Sequence, residues 1–298
     1  MKKATIHLAA FFSMLFWGIS YIWSKIVFEY YTPLTTILFR LIISILVLYI
    51  FILLSKKKEK IHKHDYWLFI VGALFNPFLY FVGESYGLDK VSATISAFII
   101  ATIPVFTPFV GYFLLRERLS KLNIAGLILS FIGVFFIILR KNLELDAEPQ
   151  GIALLFLAVL AAIIYSVFLK KLSARYKPTT IIFWQNLLGA IYFLPLFLYF
   201  DAASFLDVKP SVGAIFSLLM LGIFASSVAY VLYTFVVSQI GISKANLYTN
   251  LIPVFATIVA FFVLNEVATP LKIIGMLIIV SGVVLSQLDF TNYLKRKQ

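Results

Sequence analysis

Ten apolar runs, each about as long as the ~20 residues that a helix needs to cross a ~30 Å hydrocarbon layer, constrain this chain more tightly than any other feature. They read 6–28, 34–54, 66–86, 91–115, 122–139, 151–169, 179–200, 211–237, 243–264 and 270–288. In lipid, a backbone must satisfy its own hydrogen bonds, so such runs can only be helices. Composition agrees: 62% of the 298 residues are hydrophobic and 13% are charged, about half the charge a soluble domain carries. The loops are too short to hold a soluble domain. The expected class is an all-α polytopic membrane protein with ten transmembrane helices. The opening "MKK" and apolar run resemble a signal peptide, but the run is too long for an h-region and no small-residue cleavage site follows. It is expected to stay as the first span.

Charge sets the expected orientation. With the N-terminus inside, eighteen Lys and Arg fall in inner segments and six in outer ones, with Arg40 left within a span. Positive charge marks cytoplasmic loops. Both termini are therefore expected in the cytoplasm of a multi-pass cytoplasmic (inner) membrane protein. The net charge of +12 follows from this distribution and does not point to nucleic acid. With no cysteine in the chain, disulfides, thiolate metal sites and cysteine nucleophiles are excluded.

The motif "IPVF" occurs at 103–106 and again at 252–255. At this 149-residue offset Pro104 meets Pro253, Glu117 meets Glu266, Gly126 meets Gly275 and Gly133 meets Gly282, and 13 of the 32 positions from 103 to 134 are identical. Upstream, Tyr80 meets Tyr230 at offset 150, while Lys25 meets Lys170 and Pro33 meets Pro178 at offset 145. The chain thus reads as two homologous five-helix halves, 1–143 and 144–298. An odd helix count inverts the second half, as in secondary transporters with a midplane site between repeats. Basic "RERLSK" at 116–121 has as its counterpart "NEVATP", which carries no positive charge.

Each proline removes a backbone donor within the fourth helix of its half. Pro104 and Pro253 are expected to break those helices beside a cavity and to act as hinges; a static packing kink is the competing reading. Asn76–Pro77 marks another expected break.

Ten spans in two five-helix halves resemble the drug/metabolite transporter superfamily, and specifically its EamA type. The residues that carry this likeness are "P-V-F…E" at Pro104–Glu117 and Pro253–Glu266, the glycine pairs Gly126/Gly133 and Gly275/Gly282, "LFWGISYIWSK" at 15–25 and "LFR" at 38–40. The resemblance implies transport of a small metabolite through a central cavity lined by helices one, three, four, six, eight and nine. Members carry amino acids, nucleotide sugars, cationic drugs and other metabolites.

Arg40 and Glu84 are ionisable residues within spans, where charge is expensive and usually functional. They are read as a coupling or structural ion pair, with Glu84 also a candidate ligand or proton carrier. The second half offers Gln185 and Thr234 in their places. Asn246, Thr249 and Asn250 recur at i, i+3 and i+4, so they are expected on one cavity face; helix–helix hydrogen bonding is the alternative. Trp17, Tyr21, Tyr80, Tyr165, Tyr230 and Tyr233 are candidate aromatic walls, with ordinary packing as the competing reading. Glu117 and Glu266 are read as structural, capping a helix or pairing with a loop cation, and the glycine pairs as close-packing positions. His7, His62 and His64 are read as lying near the cytoplasmic surface, with "HKH" a solvated loop rather than a metal site.

No zinc-protease motif and no phosphate-cradling glycine loop occur, so ATP-driven pumping within this chain is not expected. The leading expectation is a secondary transporter exporting an amino-acid-like or otherwise small, polar or amphipathic metabolite, with no cofactor and no metal. Its expected partners are that substrate and the bilayer, with homodimer formation left open. An intramembrane lipid-modifying enzyme, a channel, and a carrier of nucleotide sugars or cationic drugs are the alternatives.

Overall fold

A computed structural model describes residues 3–55, 59–106, 121–138, 147–267 and 269–295. Among the described residues, ten principal helices follow one another: α1 Lys3–Phe28, α2 Pro33–Leu54, α3 Lys63–Lys90, α4 Ala93–Phe106, α5 Lys121–Ile138, α6 Pro149–Ser173, α7 Pro178–Phe200, α8 Val212–Ile240, α9 Asn246–Val263 and α10 Pro270–Lys295. Seven of them (α1, α2, α3, α6, α7, α8 and α9) are long and apolar enough to cross a membrane, and three further apolar helices are shorter among the described residues. The protein is an all-helical polytopic membrane protein. Glu117 lies outside the described residues.

Local chemistry explains the helix starts. Proline occupies the first helical position of α2, α6 and α7, where its missing N–H costs nothing. Thr32, Ser92 and Ser211 cap α2, α4 and α8, each accepting from a backbone N–H three residues on, at 3.1, 3.2 and 3.1 Å. Gly241 ends α8 at φ 78°, a left-handed conformation that favours glycine. Leu46, Ile50, Leu160, Ile191 and Leu198 remain exposed on the outer helix faces. In water such a surface would aggregate; in a bilayer it faces acyl chains.

Contacts between the two five-helix repeats come in exchanged pairs. Helix α1 packs on α8 and α9, while α6 packs on α3 and α4; α2 packs on α8, while α7 packs on α3. Helices α2 and α7, α4 and α9, and α5 and α10 pair with their own counterparts. Such exchange is what a pseudo-two-fold relation between the repeats produces. Glycine permits the closest of these approaches. A Cβ on Gly133 would lie 2.7 Å from Gly275 O, and one on Gly282 would lie 2.7 Å from Gly126 O. Small residues at helix interfaces let backbones meet this closely in lipid.

Two pairs of features break the helices symmetrically. In α4 the helix ends at Ile100 and restarts after Ala101–Thr102, just before Pro104. In α9 a 3₁₀ turn, Asn246–Asn250, precedes the α-helical segment that contains Pro253. Each proline thus falls in the first turn after a break, a position that tolerates a residue without an N–H. It begins the second part of its helix instead of disrupting a continuous one. Further π-helical segments interrupt α3 at Leu74–Leu79 and α8 at Leu221–Ala229. In α3, Asn76 leaves helical geometry altogether (φ −145°, ψ 116°). At the 150-residue offset, Asn76–Pro77 corresponds to Ser226–Ser227.

Candidate functional site

The interrupted helices surround an open cavity. Residues from α1, α2, α3, α4, α6, α8 and α9 line it, with Ile242 of the turn before α9. It runs from Arg40 and Glu84 towards Leu169 and Ile242, which lie at the face bearing the 59–65 and 174–177 loops.

Trp17 forms the central wall. Its ring centroid is 4.9 Å from that of Tyr230 and 5.1 Å from that of Tyr233. Its indole N–H donates to Ala225 O at 3.3 Å. That acceptor is free because α8 is π-helical there, and a π turn releases carbonyls from the regular ladder. The same segment collects other donors. Ser13 Oγ donates to Ala229 O at 2.8 Å, Asn186 Nδ2 and Ser44 Oγ both donate to Ser226 O at 3.1 Å, and Ser227 Oγ donates to Gly222 O at 2.8 Å. Helices α1, α2 and α7 are thus pinned to one irregular turn of α8.

Arg40 projects from α2 beside this turn. Its Nε donates to Ser226 Oγ at 2.8 Å, and its guanidinium carbon lies 4.4 Å from the Phe81 ring centroid. The side chain is only 3% exposed, and Glu84 8%. The two line one cavity but do not form an ion pair. Among the described residues, the pairs within 4.0 Å are Lys90–Glu148 at 3.1 Å and Arg175–Asp65 at 2.5 Å. Arg40 and Glu84 thus face one space without the direct contact of an ion pair. Arg40 is held instead by a serine hydroxyl and an aromatic face.

Asn246 and Thr249 line the cavity, and Asn250 does not. The i, i+3, i+4 expectation assumed α-helical periodicity. In the 3₁₀ turn observed, residues three apart eclipse, and the fourth turns away. The Thr249 hydroxyl donates to Asn246 O at 2.7 Å, so its own helix occupies it. Asn246 Oδ1 accepts from the Tyr233 hydroxyl.

Trp17, Tyr21, Tyr80, Tyr165, Tyr230 and Tyr233 all line the cavity. The Tyr165 hydroxyl donates to Gln185 Oε1 at 2.7 Å. Pro104 and Pro253 are buried outside the lining. Sequence reasoning missed Ser20, Phe81, Ile103 and Ser166 of the lining, and it marked Asn76 only as a break. Asn76 had a further signal: it belongs to the segment facing Ser226 in the repeat.

Polar contacts tie neighbouring elements together at both ends of the bundle. At one face Glu266 accepts from Ala93 N and Thr94 N, at 2.7 and 3.2 Å, and Asp201 accepts from the hydroxyls of Thr32 and Thr35, the latter at 2.7 Å. At the other, Glu59 accepts from Lys177 N at 2.9 Å, Asp65 accepts from the Tyr176 hydroxyl at 2.7 Å, and His7 Nδ1 bonds the Tyr248 hydroxyl at 2.5 Å.

The family model of the EamA-like transporter family matches residues 4–139 and again 149–288. The chain belongs to the EamA-like transporter family. Its relatives carry the same general description. One is the uncharacterized transporter YetK of Bacillus subtilis (strain 168), 27% identical over 261 residues, which span 87% of this chain and 77% of that protein. Another is the uncharacterized transporter YoaV of the same organism, 26% identical over 282 residues, 93% of this chain and 95% of that one. An uncharacterized transporter of Archaeoglobus fulgidus is 27% identical over 282 residues, 94% and 96% of the two chains. A solved crystal structure superposes with a TM-score of 0.70 at 17% identity, covering 97% of this chain and 99% of the other; that likeness shows the fold. For an EamA-like transporter, a polar-tipped aromatic cavity at the junction of two repeats is a place for a small molecule to bind.

Proposed function

We propose that this EamA-like protein is a secondary transporter that exports a small polar or amphipathic metabolite, amino-acid-like in chemistry, across the cytoplasmic membrane by alternating access. The observation that carries the reading is the cavity between the repeats, in which Arg40 and Glu84 stand as separate opposite charges among aromatic rings. One guanidinium and one carboxylate leave the lining near neutrality, which suits a zwitterion better than a multiply charged anion such as a nucleotide sugar. The aromatic walls supply apolar area for the rest of the molecule.

The repeats are taken as 1–143 and 144–298, inverted relative to each other, with both termini cytoplasmic on the strength of the lysine and arginine distribution. Pro104 and Pro253, each just past a helix break, would let the far parts of α4 and α9 swing while their near parts stay fixed. The Glu266 and Asp201 contacts at one face, and the Glu59 and Asp65 contacts at the other, would exchange as the cavity changes sides.

Counterflow in proteoliposomes tests the proposal. Vesicles loaded with an unlabelled amino acid should accumulate the same labelled amino acid transiently, and empty ones should not. No counterflow with any of the twenty amino acids would refute amino-acid transport, and counterflow restricted to cationic aromatic compounds would favour a drug carrier.

A further inference from the structure

Among the described residues, no carboxylate touches the Arg40 guanidinium, although Glu84 faces the same cavity. A buried guanidinium ordinarily meets a carboxylate, because an unpaired buried charge is costly. Here Nε is engaged by Ser226 Oγ at 2.8 Å and the plane lies over Phe81. Among the described residues, no carboxylate comes within ion-pair distance of it, and its terminal amino groups have no protein hydrogen-bond partner. The residue is 3% exposed and lines the cavity. Two parallel N–H donors on a guanidinium edge match the two oxygens of a carboxylate.

We infer that Arg40 is the carboxylate-binding subsite of the cavity, presented in fixed orientation by Ser226 and Phe81. The inference rests on the transport reading for the identity of its ligand as a substrate. Three features of the chain fit it. Ser226 is itself fixed, because its carbonyl accepts from Ser44 and Asn186, so Arg40 is oriented before any ligand arrives, which lowers the cost of binding. Glu84 in the same cavity disfavours a dianion such as a phosphate monoester and leaves room for a monoanionic carboxylate. The second repeat has Gln185 at the place of Arg40, so the chain holds one such subsite and the ligand has one defined orientation.

The test uses full-length protein and three families of probes: L-phenylalanine, L-leucine and L-threonine, each with the amine that lacks its carboxylate and the acid that lacks its ammonium. Binding is read by thermal shift in detergent, and transport separately by counterflow. The wild type should bind zwitterions and acids and discriminate against the amines. Arg40→Gln should weaken binding of the carboxylate-bearing probes by about thirty-fold or more, the scale of losing a buried charged hydrogen bond, and should not weaken binding of the amines, from which it removes a repelling charge. Ser226→Ala keeps the charge and serves should Arg40→Gln fail to fold. It should raise Kd for the same probes but not for the amines, and Ser226→Thr should restore it, which a merely structural hydroxyl would not do. Equal binding of acids and amines by the wild type, an unchanged acid Kd in both Arg40→Gln and Ser226→Ala, or failure of every zwitterion and acid to bind overturns the subsite. Arg40-dependent binding without counterflow leaves the subsite standing and refutes transport; counterflow unaffected by Arg40→Gln does the reverse.

Discussion

Glu266, in the loop before α10, caps the N-terminus of α4 in the other repeat: its two oxygens accept from Ala93 N at 2.7 Å and from Thr94 N at 3.2 Å. A carboxylate there satisfies two N–H groups that the helix itself cannot and complements the positive end of its dipole. Glu266→Ala should therefore lower stability by about 1 kcal/mol, read as a lower Tm in detergent. Glu266→Gln should recover part of it, since an amide oxygen still accepts one bond. An unchanged Tm in the alanine variant would mean that water replaces the cap.

Helices α5 and α10 leave no room for a side chain at their crossing. A Cβ at Gly282 would lie 2.5 Å from Ser130 Oγ and 2.7 Å from Gly126 O. Gly282→Ala forces the helices apart and should cost about 1–3 kcal/mol through overpacking. Gly213 has open surroundings, with its nearest contact to an added Cβ at 3.7 Å, so Gly213→Ala is the matched control and should fold normally. Equal thermal stability of the two variants would show that the α5–α10 contact is not close-packed in the membrane.

Helix number, the repeat and the close-packed glycines were legible in the sequence because hydrophobic length and repeated small residues act locally. The irregular turns were legible only where proline marked them. Asn76–Pro77 announces the break in α3, but its counterpart Ser226–Ser227 in α8 carries no proline, and the π turn there is held by hydrogen bonds from α1, α2 and α7. Asn250 was misplaced for a related reason: a 3₁₀ turn changes which residues share a face, and nothing in "NLYTN" announces it. Arg40 and Glu84 were found as charges in apolar runs. The contacts that hold Arg40 come from Ser226 and Phe81, which are 186 and 41 residues away and invisible to any local pattern.

Single cysteines placed at Lys60 and Gln150, both exposed, should label from opposite sides of the membrane with an impermeant maleimide. The chain has no native cysteine, so the background is clean. Labelling of both from one side would end the inverted arrangement proposed for the repeats.

Pro253 follows the 3₁₀ turn of α9 and occupies the first turn of its α-helical segment. Alanine there supplies an N–H that could join the two parts into one straighter helix. Pro253→Ala should therefore slow counterflow several-fold while stability stays within about 0.5 kcal/mol. A normal rate would reduce the proline to a packing residue.

Glu84 is the remaining charge in the cavity, and its separation from Arg40 determines what its loss should do. Removing one member of a buried ion pair strands the other and is strongly destabilising, by about 3–5 kcal/mol. Glu84 has no such partner among the described residues, so Glu84→Gln should fold with a near-normal Tm. The amide keeps an acceptor for the substrate, so homoexchange should persist with a raised KM. What the amide cannot do is gain and lose a proton. If Glu84 carries the coupling proton, the variant loses accumulation driven by a pH gradient while exchange continues, because exchange requires no net proton movement. Parallel measurements of Tm, counterflow and gradient-driven uptake on one preparation separate the outcomes. A collapse in Tm would mean that Glu84 pairs with Arg40 in another conformation of the transport cycle, and wild-type gradient-driven accumulation in well-folded Glu84→Gln protein would remove Glu84 from coupling.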